Sequence, residues 1–332
     1  MKSEWGGKIM RDSTLRQLRA FSAVARHHSV VRAAGELHLT ASAVSLQIKD
    51  LEQAVGLPLF ARFGRILSLT PAGDVLLIDV NRALLALKDA DEALNRLCGS
   101  ETGIVSVGMV SNAKYFLPRM LAHFHGAHPE VKLRVSSGNL EQLLRQLESR
   151  EVDFAIMGEP PEGLQARSEA FAPHPLGILA SPGHRLAERR RIAPAALDLC
   201  DFIVRERGSV TRAAMDRFFD SACIAPPRVM ELTSNEAIKQ AVMGDMGLTF
   251  LSLHTAGLEV QEKALIVLDV VGLPLMHSWY VVDLPSRRMS NAAASLRQYI
   301  VKDGGNFIAQ QFQCLDMGLN MENRRVCADL VA

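Results

Sequence analysis

At 332 residues and 48% hydrophobic, the chain is long for one domain and comfortable for two or three, each with enough apolar content to bury a core. Its five cysteines (Cys98, Cys200, Cys223, Cys314, Cys327) are odd in number and widely spaced, with no C-x-x-C, which argues against a disulfide scaffold and for reduced thiols in a cytoplasmic protein. The net charge of +1 is unevenly spread: residues 1–70 hold ten Lys and Arg against five Asp and Glu, a net +5, and the remainder carries −4. A basic head on a mildly acidic body fits a nucleic-acid-binding domain joined to something else.

In chain order, the first helix is expected over 15–26, with Leu18, Phe21, Ser22 and Ala25 inward. A second spans 30–37, where Val30, Ala33, Ala34 and Leu37 fall at i, i+3, i+4 and i+7, and a third spans 41–55 on Val44, Ile48, Leu51 and Val55. Thr40 stands where an N-cap oxygen would accept from the first turn of that third helix, leaving only His38 and Leu39 for the turn. This is a helix-turn-helix pattern. Its outward side presents Ser42, Ser45, Leu46, Lys49 and Gln53; lysine can reach phosphate or a guanine edge, serines bond either, and leucine can meet a thymine methyl. A hairpin wing follows, with Arg62 and Arg65 flanking Phe63 and Gly64 and suited to a minor groove or its phosphates. The candidate DNA contacts are therefore Arg32, Thr40, Ser42, Ser45, Leu46, Lys49, Arg62 and Arg65.

From residue 76 the apolar positions run Leu76, Val80, Ala83, Leu87, Ala90, Leu94 and Leu97, alternating steps of 4 and 3. That is an a/d heptad seam and predicts a dimerisation helix over 74–98. Paired subunits would hold two recognition helices about one turn of DNA apart, so the expected partner is double-stranded promoter DNA carrying an inverted repeat.

Beyond Gly103 short strands alternate with helices: strands at 104–110, 131–136, 153–157, 176–181, 202–205, 228–233, 248–250 and 279–282, with helices at 115–126, 140–150, 211–222, 235–243 and 291–301. Such alternation predicts open parallel sheets in an α/β body of two lobes, with a ligand cleft between them. The lobes are expected at about 103–178 with 279–303, and at about 179–278. Three loops that open helices offer hydroxyls, amides and cations for an anion: Ser111, Asn112 and Lys114; Arg207, Ser209, Thr211 and Arg212; and Ser234 and Asn235. The last stretch, 304–332, has weak periodicity and reads as a lightly docked extension.

The run TASAVSLQIKDLEQAVGLPLFARFGRILSLTPAG, residues 40–73, resembles the winged helix-turn-helix of LysR-type transcriptional regulators, departing at Ala41, where the family usually has Gln, and at Leu46, where it often has Arg. The resemblance covers about residues 14–303. It implies a winged helix-turn-helix over 14–73, a long linker helix that pairs subunits, and an effector domain over 103–303 similar to type 2 periplasmic binding proteins. Within the family, GMVSNAKYFLPRML, SGNLEQLLRQLESREVDFAIMGEPPEGL and RERGSVTRAAMDRFF resemble the subgroup regulating Calvin-cycle (RuBisCO) operons. That subgroup implies a phosphorylated effector such as ribulose bisphosphate, phosphoenolpyruvate or NADPH, a homodimer or homotetramer, and contact with RNA polymerase.

Two other classes are weighed against this reading. An enzyme would show a nucleophile elbow, zinc-protease, P-loop or dinucleotide fingerprint, and none is found. His123 and His125 would lie about 200° apart on a helix, which argues against a metal site; no cofactor or metal is expected. A solute-binding protein would share the body but would need an export signal, and residues 1–13 lack the apolar core of one. No apolar run approaches the roughly 20 residues of a bilayer span.

Overall fold

The computed structural model describes residues 13–63, 66–97, 103–161, 165–227, 229–285 and 289–316. The chain forms two compact units, Met1–Gly99 and Ser100–Ala332.

The first unit consists of α1 (Leu15–His27), α2 (Val30–Leu37), α3 (Ala41–Val55), the hairpin strands β1 (Phe60–Phe63) and β2 (Ile66–Leu69), and α4 (Pro71–Leu97). Thr14, Ser29 and Thr40 each cap a helix by accepting a first-turn amide on the side-chain oxygen. The tight turn between α2 and α3 turns on His38, whose φ of 55° lies in the left-handed region where histidine is among the tolerated residues. Phe21, Val24, Val44, Leu51, Leu59 and Val80 have no exposed surface, so all four helices and the wing share one core. The Glu52 carboxylate ties α3 to the wing by accepting from the Leu59 and Phe60 amides at 2.7 and 3.2 Å.

α4 serves two purposes, which corrects the uniform seam. Val80 is fully buried and Leu76, Leu77 and Leu84 pack against the head's own core, while Asn81 accepts a hydrogen bond from Ser22 of α1 at 2.8 Å. Leu76 and Val80 are thus head residues. Further along, Ala83 and Ala90 are exposed, as are Leu87 and Leu94 at 39% and 62%; the side chain of Leu97 lies outside the described residues.

The second unit comprises β3 (Gly103–Met109), α5 (Leu117–Ala127), β4 (Val131–Ser137), α6 (Leu140–Glu148), β5 (Phe154–Met157), β6 (Arg167–Ala180), β7 (Phe202–Arg205), α7 (Val210–Ala222), β8 (Val229–Leu232), α8 (Asn235–Met243), β9 (Thr249–Ser252), α9 (Gly257–Gln261), β10 (Ile266–Val267), β11 (Leu275–Asp283), α10 (Asn291–Gln311) and α11 (Gln313–Asp316). One lobe is built on β4, β3 and β5, the other on β7, β8 and β9, and the long strands β6 and β11 run through both. β3 is parallel to β4 and β5, and β7 is parallel to β8. β11 is antiparallel to β5 and β6, and β9 and β10 are antiparallel to β6. The expectation of wholly parallel sheets is corrected to a mixed sheet. β6 begins nine residues before the expected strand because Pro173 and Pro175 sit inside it, where proline ordinarily demotes a strand; the register shifts nearby, at Trp279/Tyr280.

The C-terminal boundary is corrected as well. α10 continues through Gly304 and Gly305 to Gln311, because those glycines permit close approach: a Cβ at 304 would lie 2.8 Å from the Phe171 ring, and one at 305 would lie 2.8 Å from the Phe171 carbonyl oxygen. Ile308, Phe312 and Leu315 are buried in the body's main core beside Phe116, Trp279 and Ile300. Residues 304–316 are therefore part of the domain.

Candidate functional site

On α3 the buried stripe of Val44, Ile48, Leu51 and Val55 leaves Ser42, Ser45, Leu46 and Lys49 on the solvent face, with Leu46 56% exposed. Arg32 is exposed on α2. The Thr40 hydroxyl accepts from the Ala43 amide at 3.2 Å and lies 3.1 Å from the Ser42 hydroxyl, so it positions the start of α3 while remaining exposed. Arg62 pairs with Leu67 in the wing backbone; its side chain, and all of Arg65, lie outside the described residues.

In the body, a cavity of about 350 Å³ opens between the lobes. Ser111, Ser137, Gly138, Asn139 and Gly158 contribute from one lobe; Arg205, Glu206, Arg207, Gly208, Ser209, Thr211 and Thr233 contribute from the other; and His174, Leu176 and His277 come from the two crossing strands. The N-termini of α6 and α7 both point into this space, and helix N-termini favour anions through their unpaired amides and dipole. At α6, Asn139 satisfies its own helix through a capping box with Gln142. At α7, Ser209 stands at the N-cap without bonding its own helix, so its hydroxyl is available. Gly208, at φ 90°, makes the turn that brings Ser209 there. Arg207 is exposed on the same loop and makes no ion pair among the described residues.

Arg205 forms the wall behind that loop. Its guanidinium is bidentate to Glu206 at 2.7 Å and donates to Asn235 Oδ1 at 2.9 Å, and the side chain is 7% exposed. Burial is the largest single influence on Glu206 and opposes its ionisation, but the Arg205 hydrogen bonds, a backbone hydrogen bond and the Arg205 charge together bring its pKa down. Asn235 donates to Asn112 Oδ1 at 2.9 Å, and Asn112 donates to Thr211 Oγ1 at 3.0 Å, so a buried polar chain sews the two lobes together at the cavity edge. At the other end His277 lies 3.3 Å from Glu159, which also pairs with Arg217 of α7 at 3.2 Å. The His277 hydrogen bond is the largest cause holding Glu159 below the usual carboxylate range.

Of the sequence-expected residues, Ser111, Asn112, Arg207, Ser209 and Thr211 line the cavity. Lys114 does not: it pairs with Glu236 at 2.8 Å, and Tyr115 donates to the same carboxylate. Burial opposes ionisation of Glu236, yet these hydrogen bonds bring its pKa to about 2. Arg212 is likewise turned away, held by Asp216, Glu231 and the Arg205 carbonyl. Ser234 caps α8 through the Ala237 amide, and Asn235 supports the wall from behind. Arg205, His174, His277 and Ser137 to Asn139 also line the cavity without such a signal in the sequence: the histidines lie inside β6 and β11 rather than in helix-opening loops. His123, His125 and His128 point to separate partners: the Tyr299 hydroxyl, the Val131 carbonyl and the Phe124 ring.

Among the described residues no helix is long and apolar enough to cross a membrane. The profile described as "Bacterial regulatory helix-turn-helix protein, lysR family" matches residues 15–74, and that described as "LysR substrate binding domain" matches residues 99–304. The chain is 44% identical over 318 residues to the HTH-type transcriptional regulator CfxR of Cupriavidus necator, covering 96% of this chain and 99% of that protein. It is 42% identical over 291 residues to the RuBisCO operon transcriptional regulator of Allochromatium vinosum, covering 87% and 96%. Among solved structures, the Synechocystis CcmR regulatory domain in complex with 2-PG superposes with a TM-score of 0.57 at 33% identity, covering 61% of this chain and 99% of that one. Full-length CbnR complexed with its target DNA has the same fold at 18% identity, with a TM-score of 0.64 and coverage of 86% and 98%. Head and body thus both match, and the chain belongs to the LysR family of DNA-binding transcriptional regulators.

Proposed function

We propose that this regulator controls carbon-fixation genes and that a small phosphorylated or carboxylated metabolite, held in the cleft between the lobes, changes how it binds or bends promoter DNA. The carbon-fixation assignment is supported by the relatives named for that operon over nearly the full chain. The observation that carries the anionic effector is the α7 N-terminus, where Arg207 is unpaired among the described residues and the Ser209 hydroxyl is unused by its own helix. Ser111 lines the opposite side, and the CcmR regulatory domain binds 2-PG. Ribulose bisphosphate, phosphoenolpyruvate and NADPH are the candidates. A switch of this kind requires the ligand to have different affinities for two lobe arrangements.

The DNA end works as a homodimer or tetramer: Leu87 and Leu94 of α4 pair two heads on an inverted repeat, and RNA polymerase reads the result. Such a regulator acts in the cytoplasm, where the DNA is. The test is titration on the upstream promoter DNA across a salt series, with and without ribulose bisphosphate, beside calorimetry. A ligand-dependent footprint and steep salt dependence are expected. Calorimetry showing no sugar phosphate bound, with Arg207→Ala regulating normally, would overturn the effector reading.

A further inference from the structure

Two basic side chains of the cavity lining keep exposed surface among the described residues: Arg207, at the open N-terminus of α7, and His277, on the crossing strand β11. The other two are spent or enclosed, since Arg205 is bound to Glu206 and His174 is buried. The His277 side chain is 23% exposed, and its ring is clamped by one edge. Nδ1 donates to Glu159 Oε1 at 3.3 Å, and the same oxygen accepts from Arg217 at 3.2 Å. Nε2, on the far edge of the ring, has no partner among the described residues. Arg217 leaves α7 two turns beyond the Ser209 cap, about 12 Å along the axis, so the clamp belongs to the other end of the cavity from Arg207.

We propose that His277 is the specificity-determining contact of the cleft: its Nε2 binds a second anionic group of the effector, with Glu159 as the positioning residue behind the ring. This rests on the preceding reading, in which a first anionic group lies at Arg207. A carboxylate on Nδ1 fixes the orientation of an imidazole and stabilises the imidazolium that an anion at Nε2 favours. The charged and titratable groups packed around the ring are Glu159, Arg217 and His174, its register partner on β6. Arg217 balances Glu159, so a protonated ring leaves one positive charge for a ligand to neutralise. A monoanion is satisfied at Arg207 alone. An effector with an anionic group at each end of a short carbon chain, a bisphosphate or a phosphorylated carboxylate, uses both contacts.

The test is calorimetry on the full-length protein with two matched pairs: ribulose 1,5-bisphosphate against ribulose 5-phosphate, and pentane-1,5-diyl bisphosphate against pentyl phosphate. The members of each pair differ by one phosphate. The wild type should prefer the bisphosphate by about tenfold or more, the order of a hydrogen bond to a charged group. That preference should shrink from about pH 7 to 8.5, where histidine loses its proton while phosphates, with a second pKa near 6, stay ionised. His277→Gln can still donate to Glu159; it should lose most of the preference and its pH dependence while keeping affinity for the monophosphate. Glu159→Gln should lose part of both, and keeps the result readable if His277→Gln fails to fold; no effect would overturn its positioning role. Arg207→Ala should weaken both members of each pair alike. Binding without a bisphosphate preference, a preference flat across that pH range, or one that survives His277→Gln would sink the His277 role and leave the anion reading standing. Failure of every probe to bind the wild type would overturn both.

Discussion

Asn112 is the residue through which the two lobes are tied at the cleft, and removing its amide should loosen that tie measurably. It sits on the turn Ser111–Tyr115 after β3, 7% exposed, donating to Thr211 of α7 and accepting from Asn235 of α8. Asn112→Ala deletes both bonds and orphans one hydroxyl and one amide N–H. Each orphaned buried group costs about 1–3 kcal/mol, so the two together cost about 2–6 kcal/mol. Thr211 lines the cavity, and water entering there recovers part of its bond, which puts the expectation near the lower end, about 2–3 kcal/mol. Urea unfolding followed by Trp279 fluorescence in a Trp5→Phe background reports on the body, because Trp279 is fully buried there. A double-mutant cycle with Thr211→Val should give a coupling of about 1 kcal/mol. A loss under about 0.5 kcal/mol, or strictly additive variants, would refute the claim that this polar chain holds the lobes.

Further predictions concern pH, α4 and the recognition helix. Burial lowers His254 from 6.5 to about 3, and its Nδ1 accepts from the Trp279 indole. The unfolded chain therefore takes up this proton first on acidification; stability is full above about 6.5 and falls towards pH 3 by about 1.4 kcal/mol per unit. Between pH 7 and 5 about 2 kcal/mol should vanish through His254, in addition to what the likewise lowered His174 contributes; His254→Gln should reduce the slope by its share, and an unchanged slope in urea titrations would disprove the origin. On α4, Val80→Ala should cost the head about 1–3 kcal/mol because Val80 is fully buried. Leu94→Asp should spare head stability and lower the sedimenting mass; unaltered oligomers would exclude the seam. Lys49→Ala should reduce the salt slope of promoter binding by about one if Lys49 meets phosphate, and an unchanged slope together with unchanged sequence preference would remove it from the interface.

Periodicity carried most of the fold. The expected helices at 30–37, 41–55 and 235–243 coincide with α2, α3 and α8, because each opens on a capping hydroxyl and carries one regular apolar face. What escaped were features in which a local signal was overruled by long-range packing. Pro173 and Pro175 inside β6 and Gly304 and Gly305 inside α10 each read as breaks. The chain continues through all four because β11 pairs along β6 and because Phe171 needs the space that a side chain on α10 would fill. The heptad on α4 is a similar case, since spacing does not reveal which partner covers an apolar position. Leu76 and Val80 found theirs within the same chain.

The cleft shows why charge was a poorer guide than position. The three cations of the expected loops look equivalent in sequence, yet Lys114 and Arg212 each lie within 2.9 Å of a carboxylate, as does Arg205 beside them. Those carboxylates, Glu236, Glu206 and Asp216, lie respectively on α8, next in sequence to Arg205, and one helical turn from Arg212. A cation so neutralised builds a wall and has little field left for a ligand. Arg207 differs because the acid beside it, Glu206, is already held bidentate by Arg205, while Gly208 and Ser209 direct an open helix N-terminus into the same space. The positive potential that recruits an anion is therefore concentrated at the α7 end of the cavity.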